Sequence, residues 1–368
     1  MDTDKLRALF PLTENYTFLN NAAESPLNMA VKNKLDYYLD LALRAPHTKP
    51  SVRYQVKKKL AKLLGGNPSD YALMTSTGMG VSIIAAGYKW TKGDNVVLPS
   101  NEHWNNSFPW QALEEKGVEV RFVEPDQQNR ILPEKIAALT DKKTKIVALA
   151  AVSFNTGFRS DLKEISQIAH KQGALFLVDG IQAAGVVPLD VEKDHIDILC
   201  CAGFKWLLGL PGTGFVYLNK RAQEKINPLL PGMFAADLYL KELTYHPDAR
   251  RFETGSIAYS LFYAWTAGLE LLMDIGVENI HKKILLLTDL IISGLEEKDI
   301  EIITPVEHIS ERSAIILFTL GSLEKNKALY EKLLAENIIL TLRDNLLRIS
   351  PSFYNTEEEI KSFLSFLA

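Results

Sequence analysis

An aspartate and a lysine leave two consecutive apolar runs 26 positions apart, in Leu177-Val178-Asp179-Gly180-Ile181-Gln182 and Ala202-Gly203-Phe204-Lys205-Trp206. A lysine amine condenses with an aldehyde to a Schiff base. A carboxylate against a pyridine nitrogen keeps that nitrogen protonated, so the ring accepts electrons from a carbanion. The two groups would serve different parts of one aromatic aldehyde. Taken singly, each has a plainer use: Asp179 could cap a turn before Gly180, and Lys205 could be a solvated surface lysine. The pair shifts the balance, because Trp206-Leu207-Leu208-Gly209-Leu210-Pro211-Gly212-Thr213-Gly214 surrounds the lysine with apolar residues and glycines rather than further charges.

A phosphate site is also legible. Thr75-Ser76-Thr77-Gly78-Met79-Gly80 precedes a helix-like stretch, Val81 to Tyr88, and could aim backbone N–H groups and hydroxyls at an anion. Ordinary N-capping by Ser76 or Thr77 explains the same residues when they are considered alone. There is no Walker lysine, and no strand is followed by G-x-G-x-x-G, which argues against a nicotinamide-dependent oxidoreductase.

The elements that must position these groups alternate. Val96 to Leu98, Val118 to Val123, Ile146 to Val152, Ala174 to Val178, Ile196 to Cys201 and Phe215 to Leu218 read as strands, with helix-period segments between them. Asp161 is an N-cap before Leu162, Ile165, Ile168 and Ala169, and Gly173 ends that helix, which makes a βαβ crossover. Ligands of open α/β sheets sit beyond the carboxyl ends of the strands, so residues leaving successive strands can meet one small molecule. After Phe252-Glu253-Thr254-Gly255-Ser256 come two long helix patterns, Ala258 to Met273 and His281 to Glu297, separated near Gly276. The remainder reads as strand (Ala314 to Phe318), helix (Leu323 to Glu336), two strands (Ile338 to Leu342 and Leu346 to Ser350) and a final helix after Asn355-Thr356. The expectation is an α/β fold with a mainly parallel central sheet flanked by helices, and a smaller α+β carboxyl-terminal domain. Residues 16–276 form the large domain, and 1–15 with 277–368 the small one.

Bulk properties bound the partners. At 368 residues the chain exceeds the size at which single cores stop growing. A formal net charge of -4 offers no general attraction for nucleic acid. Cys200 and Cys201, the only cysteines, are strand neighbours whose side chains point to opposite faces, so they are poor disulfide partners. With the polar start Met1-Asp2-Thr3-Asp4-Lys5, this points to a reducing, cytoplasmic setting. No run approaches the roughly 20 apolar residues of a membrane span, and no metal site is expected.

In order along the chain, Phe18-Leu19-Asn20-Asn21-Ala22-Ala23, Thr75 to Gly80, Glu102-His103-Trp104, Gly157-Phe158-Arg159, Val178 to Gln182, Gly203 to Leu207, Arg251 to Ser256, Arg348-Ile349-Ser350-Pro351 and Tyr354-Asn355-Thr356 resemble the class V aminotransferases. These are fold-type I enzymes of pyridoxal 5'-phosphate (PLP), and they include cysteine desulfurases, kynureninase and isopenicillin N epimerase-like proteins. The resemblance implies that Lys205 is the Schiff-base lysine and Asp179 the partner of the pyridine nitrogen. It makes Gln182 a donor to the phenolic oxygen and His103 the ring stacked on the cofactor, with Trp104 as a rival stacker. Ser76, Thr77 and Gly78 match the phosphate loop. The hydroxyl at Ser256 matches one that reaches the phosphate of a neighbouring subunit, which implies a homodimer with shared active sites. Arg348 matches the clamp on the substrate carboxylate, Asn21 falls among the substrate-binding positions, and Arg343 is a second candidate anion contact.

The chain also departs from that pattern. Desulfurases attack the substrate sulfur with a cysteine shortly before the position of Arg348, where this chain has Leu342-Arg343-Asp344-Asn345-Leu346-Leu347. Desulfuration therefore lacks its nucleophile, and core packing suits Cys200 and Cys201 better. Ala202-Gly203-Phe204 stands where many relatives carry phosphate-assisting side chains, and either Ser153 or Asn155 could approach the cofactor oxygen. The expected function is an amino-acid aminotransferase with Lys205 as general base. An isopenicillin N epimerase-like epimerase or a C–S or β-lyase is the alternative, and a catalytically inactive scaffold of the same fold is the non-enzyme alternative.

Overall fold

The strands at the centre of the protein are buried along their whole length: Leu175–Asp179, Ile198–Ala202 and Gly214–Leu218 have no exposed position. Such strands need cover on both faces, which parallel sheets obtain from crossover helices. The computed structural model describes residues 3–48, 50–239 and 242–367 and has that arrangement. Met1 and Asp2 of the polar start, and Ala368 at the end of the expected small domain, lie outside the described residues.

The strands are β1 (Thr17–Phe18), β2 (Tyr71–Met74), β3 (Asn95–Pro99), β4 (Glu119–Val123), β5 (Thr144–Ala150), β6 (Leu175–Asp179), β7 (Ile198–Ala202), β8 (Gly214–Leu218), β9 (Glu301–Ile302), β10 (Ile316–Thr319), β11 (Ile338–Ile339), β12 (Thr341–Arg343) and β13 (Leu346–Ile349). Among the described residues, seven of them form the central sheet in the order β2-β8-β7-β6-β5-β3-β4. Strands β3 to β7 run parallel, and β8 is antiparallel to both β7 and β2. The six strands expected from the sequence are β3 to β8, and β2 is an addition.

Alternate side chains of this sheet feed two cores. Cys201, Phe176, Val178 and Phe215 join one, and Cys200, Leu175, Leu177 and Val216 the other, so the two thiols do face opposite ways. The helix Leu162–Lys171 starts where the Asp161 carboxylate accepts from the Glu164 N–H at 3.0 Å, and it stops before Gly173, whose φ of 81° only glycine adopts freely.

A second, antiparallel sheet, β12-β13-β10-β9, packs with the helices Val277–Glu296 and Glu357–Ser365 around Leu287, Ile291, Phe318, Leu347 and Phe363. The expected strand Ile338 to Leu342 is divided, because β11 pairs with β1 while β12 pairs with β13. The amino-terminal segment is thereby stitched to the carboxyl-terminal one, and Asn20 bridges Ser350 next to this pairing.

Candidate active site

Strands β6 and β7 are parallel, so Asp179 at the end of one and the turn after Ala202 at the end of the other emerge at the same edge of the sheet. Asp179 is buried, and its Oδ1 accepts from the Ile181 N–H at 2.9 Å. Lys205 follows β7 in a loop pressed against Trp265. A Cβ on Gly203 would lie 2.6 Å from Thr213 Oγ1 and 2.8 Å from the Trp265 ring, so no larger residue fits there. The glycine two residues before the lysine is thus a packing requirement.

Asp179 and Lys205 line one cavity of about 100 Å³, together with Ser76, Thr77, His103 and Gln182 from the expected set, and with Asn105, Phe154 and Phe204. Burial raises the Asp179 carboxyl to about 6, against the opposing pull of the Ile181 N–H and the Lys205 charge. Burial lowers Lys205 to about 8; the Arg348 charge adds to this, and Asp179 opposes it. A substantial fraction of the amine is therefore neutral near pH 8, which a nucleophile or general base requires. His103 is also held below its ordinary value, first by burial and then by Lys205 and Arg343. Its Nδ1 accepts from the Asn105 N–H at 3.1 Å, so the neutral ring carries its proton on Nε2.

At the phosphate-like end, Ser76 caps the helix Thr77–Gly87, its Oγ accepting from the Met79 N–H at 3.1 Å. Capping and cavity lining therefore coexist in this residue. Thr77 Oγ1 accepts from the Ala202 N–H at 3.0 Å, and a Cβ on Gly78 would crowd Asn105 at 3.0 Å. Gln182 accepts from Trp206 Nε1 at 2.8 Å and donates to the Ala22 carbonyl at 3.0 Å.

The remaining expected residues lie around the cavity or away from it. Arg348, on β13, is buried and donates from Nη1 to the Phe154 carbonyl at 3.1 Å, while its buried Nε meets no partner among the described residues. Burial and then Arg343 lower it to about 10. Asn21 is buried outside the lining, donating to the Ser350 carbonyl at 3.1 Å and accepting from the Tyr354 hydroxyl at 2.7 Å. Ser256 is exposed and outside this cavity. Ser153 and Asn155 bond to each other at 2.7 Å, and it is Phe154, between them, that lines the cavity.

Glu102, which lies beside the cavity rather than in its lining, was not anticipated. Its carboxylate accepts from the Ala150 N–H at 2.6 Å and from Asn106 Nδ2 at 3.1 Å. Burial, opposed by the Ala150 N–H and aided by the Asp179 charge, raises it to about 8. The only signal in the sequence is an acid beside His103. Phe154 had none, since an aromatic residue after a strand is usually core.

The family model for class V aminotransferases matches residues 17–363. The chain belongs to this family. As a class V aminotransferase it resembles a probable cysteine desulfurase of Methanothermobacter thermautotrophicus, 30% identical over 77% of this chain and 73% of that protein. The uncharacterized aminotransferase YcbU of Bacillus subtilis is 27% identical over 99% and 97%. Among solved structures, a variant of C-DES with glycine covalently linked to its PLP cofactor superposes with a TM-score of 0.90 at 24% identity, covering 98% of both chains. The apo cysteine desulfurase of Thermococcus onnurineus NA1 gives 0.88 at 24% identity, covering 98% of this chain and 96% of its own. The fold is that of the fold-type I PLP enzymes, and class V aminotransferases work with PLP. The donor set of the cavity suits that cofactor: an amine lowered to about 8, a buried acid, and a helix amino terminus with two hydroxyls, while the Nε of Arg348, outside the lining, is left without a partner among the described residues.

Proposed function

We propose that this class V enzyme is an amino-acid aminotransferase. The main support is the convergence of the Lys205 amine and the Asp179 carboxyl on one cavity, with Arg348, whose Nε has no partner among the described residues, within electrostatic reach of the amine. When bound, PLP supplies a protonated ring that takes up the electrons released at the substrate Cα. In this reading Lys205 would be the residue that holds the aldehyde end of PLP, and Asp179 the acid at its ring nitrogen. Gln182 would offer its remaining amide N–H to the phenolic oxygen, and His103 would cover the ring. Ser76, Thr77 and Gly78 would hold the phosphate with the first turn of their helix. Arg348 would grip the substrate carboxylate, Asn21 would support the substrate side through Ser350, and the Lys205 amine would accept and return the α-proton. Phe154, in the cavity lining, would shield the site from water.

Desulfuration is set aside because it needs a thiolate beside the substrate sulfur. Both cysteines are buried in β7, where burial pushes their thiols well above the ordinary range, and residues 343–346 contain none. A lyase is the second reading: a solved neighbour, in complex with cysteine persulfide, is a cystine C-S lyase, and elimination with the substrate sulfur as leaving group uses no enzyme thiol. We also infer a cytoplasmic homodimer in which Ser256, exposed and outside its own cavity, completes the neighbouring subunit's phosphate site. The division at Gly276, between the two long helices, separates a PLP-binding domain of residues 16–276 from a small domain of 1–15 and 277–368.

Incubation of PLP-loaded protein with L- and D-amino acids in deuterated buffer tests this. Exchange of the α-proton together with oxo-acid formation and amino transfer is expected. Inverted chirality without oxo acid would replace the reading by epimerisation, loss of the side chain by elimination, and a protein that stays colourless with PLP by an inactive scaffold.

A further inference from the structure

Two guanidinium groups stand on one face of the β12–β13 hairpin. Arg343 lies opposite Leu346, and Arg348 opposite Thr341. Opposed residues of an antiparallel pair share a face, so the two arginines are diagonal neighbours, about 7–8 Å apart at the backbone. Like charges so placed repel unless an anion joins them. Beyond burial, the Arg343 charge is among the causes that hold Arg348, Lys205 and His103 below their ordinary values, which places it within electrostatic reach of the cavity.

Phe154 touches both cations. Its carbonyl accepts from Arg348 Nη1, and its ring centroid lies 4.8 Å from Arg343 Cζ, with the Trp104 ring at 5.1 Å. Contact with ring faces holds a guanidinium without consuming its N–H donors. Among the described residues, the only acid within ion-pair distance of either arginine is Asp344, at 3.2 Å from Arg343 Nε. Asp344 is 78% exposed at its side chain, so solvent screens most of its charge. A substrate α-carboxylate on Arg348 leaves the Nη groups of Arg343, whose Nε faces Asp344, to meet a second anion.

We propose that the enzyme selects amino acids that carry a second anion on the side chain, a carboxylate or a sulfur oxyanion, and that Arg343 is the residue that selects. The inference rests on the proposed function, with Arg348 taking the α-carboxylate. A neutral amide of the same shape leaves the Arg343 donors facing a group that cannot match their charge, which lowers its affinity.

The test compares kcat/KM for α-proton exchange by the PLP-loaded enzyme on isosteric pairs, aspartate with asparagine and glutamate with glutamine, and includes cysteine sulfinate. The acids are expected to be favoured about tenfold or more. Arg343→Gln should collapse that ratio, chiefly through KM for the acids, and Arg343→Lys should restore part of it. An arginine that merely supported the loop would alter both members of each pair alike. Equal use of acid and amide by the unaltered enzyme overturns the inference whatever the variants do, and so does a ratio untouched by Arg343→Gln. Exchange of neutral amino acids without preference leaves the aminotransferase reading standing, whereas exchange of no amino acid at all removes both.

Discussion

Gln182 accepts a hydrogen bond from Trp206 Nε1 at 2.8 Å, and this bond ties the loop after β6 to the loop after β7. The first loop follows Asp179 and the second carries Lys205. Indole nitrogen only donates, so the contact also fixes which end of the Gln182 amide is oxygen and leaves an N–H free beyond the one given to Ala22.

Trp206→Phe removes the donor and keeps most of the apolar volume. The buried Gln182 oxygen loses its partner, which costs about 1–3 kcal/mol. A lower Tm and faster loss of PLP on dialysis are expected. Unchanged cofactor retention would detach Gln182 from the site.

The lowered pKa of Lys205 sets a pH dependence. Only the neutral amine attacks an aldehyde, so capture of PLP by the apoprotein should accelerate as pH rises through about 8. Stopped-flow absorbance across pH 6 to 10 checks this. A midpoint near the ordinary lysine value of 10.5 would mean that burial does not act on this amine.

Asp179 gives a stability signature. Its carboxyl is raised from 3.8 to about 6, so the folded apoprotein binds this proton more tightly than the unfolded chain. The resulting stabilisation is full below about pH 4 and is lost as pH rises through about 6, a swing of about 3 kcal/mol. Asp179→Asn lacks it, so the melting temperature of the variant relative to the unaltered apoprotein should be higher at pH 8 than at pH 4. The same change should slow α-proton exchange by about two orders of magnitude or more if ring protonation matters. A pH-independent difference in Tm, or an unchanged exchange rate, counts against the assignment.

Arg348→Ala should weaken L-amino acids relative to the corresponding amines without a carboxylate, by about tenfold or more in kcat/KM. The comparison cancels damage from the lost bond to the Phe154 carbonyl. Equal losses for both compounds would remove the carboxylate clamp.

The parallel core was legible because β3 to β7 are apolar runs separated by helix-period segments. The direction of β8 was hidden in plain view: residues 203–213 are too few to hold a crossover helix, so the next strand had to return antiparallel. Strand β2 was missed because Tyr71–Met74 is four residues long and buried throughout, which leaves no alternation to detect. Asp179 and Lys205 could be picked out because side chains at strand ends are few and their types distinctive, whereas Gln182 and His103 came from the family resemblance; all four line one cavity. Glu102 could not be picked out, because its importance lies in the N–H of Ala150, a contact between segments 48 residues apart. The pairing of β1 with β11 is hidden for the same reason, since two-residue strands carry no periodicity and their partners are set by the packing around Leu19.

The account stands on Lys205 as the residue that bonds to PLP. Borohydride reduction of the loaded protein, proteolysis and mass mapping locate that bond directly. The predicted result is one pyridoxyl group per chain, on the peptide containing Lys205, and none in Lys205→Ala. A reduced adduct on any other lysine, or one retained in the variant, would contradict it.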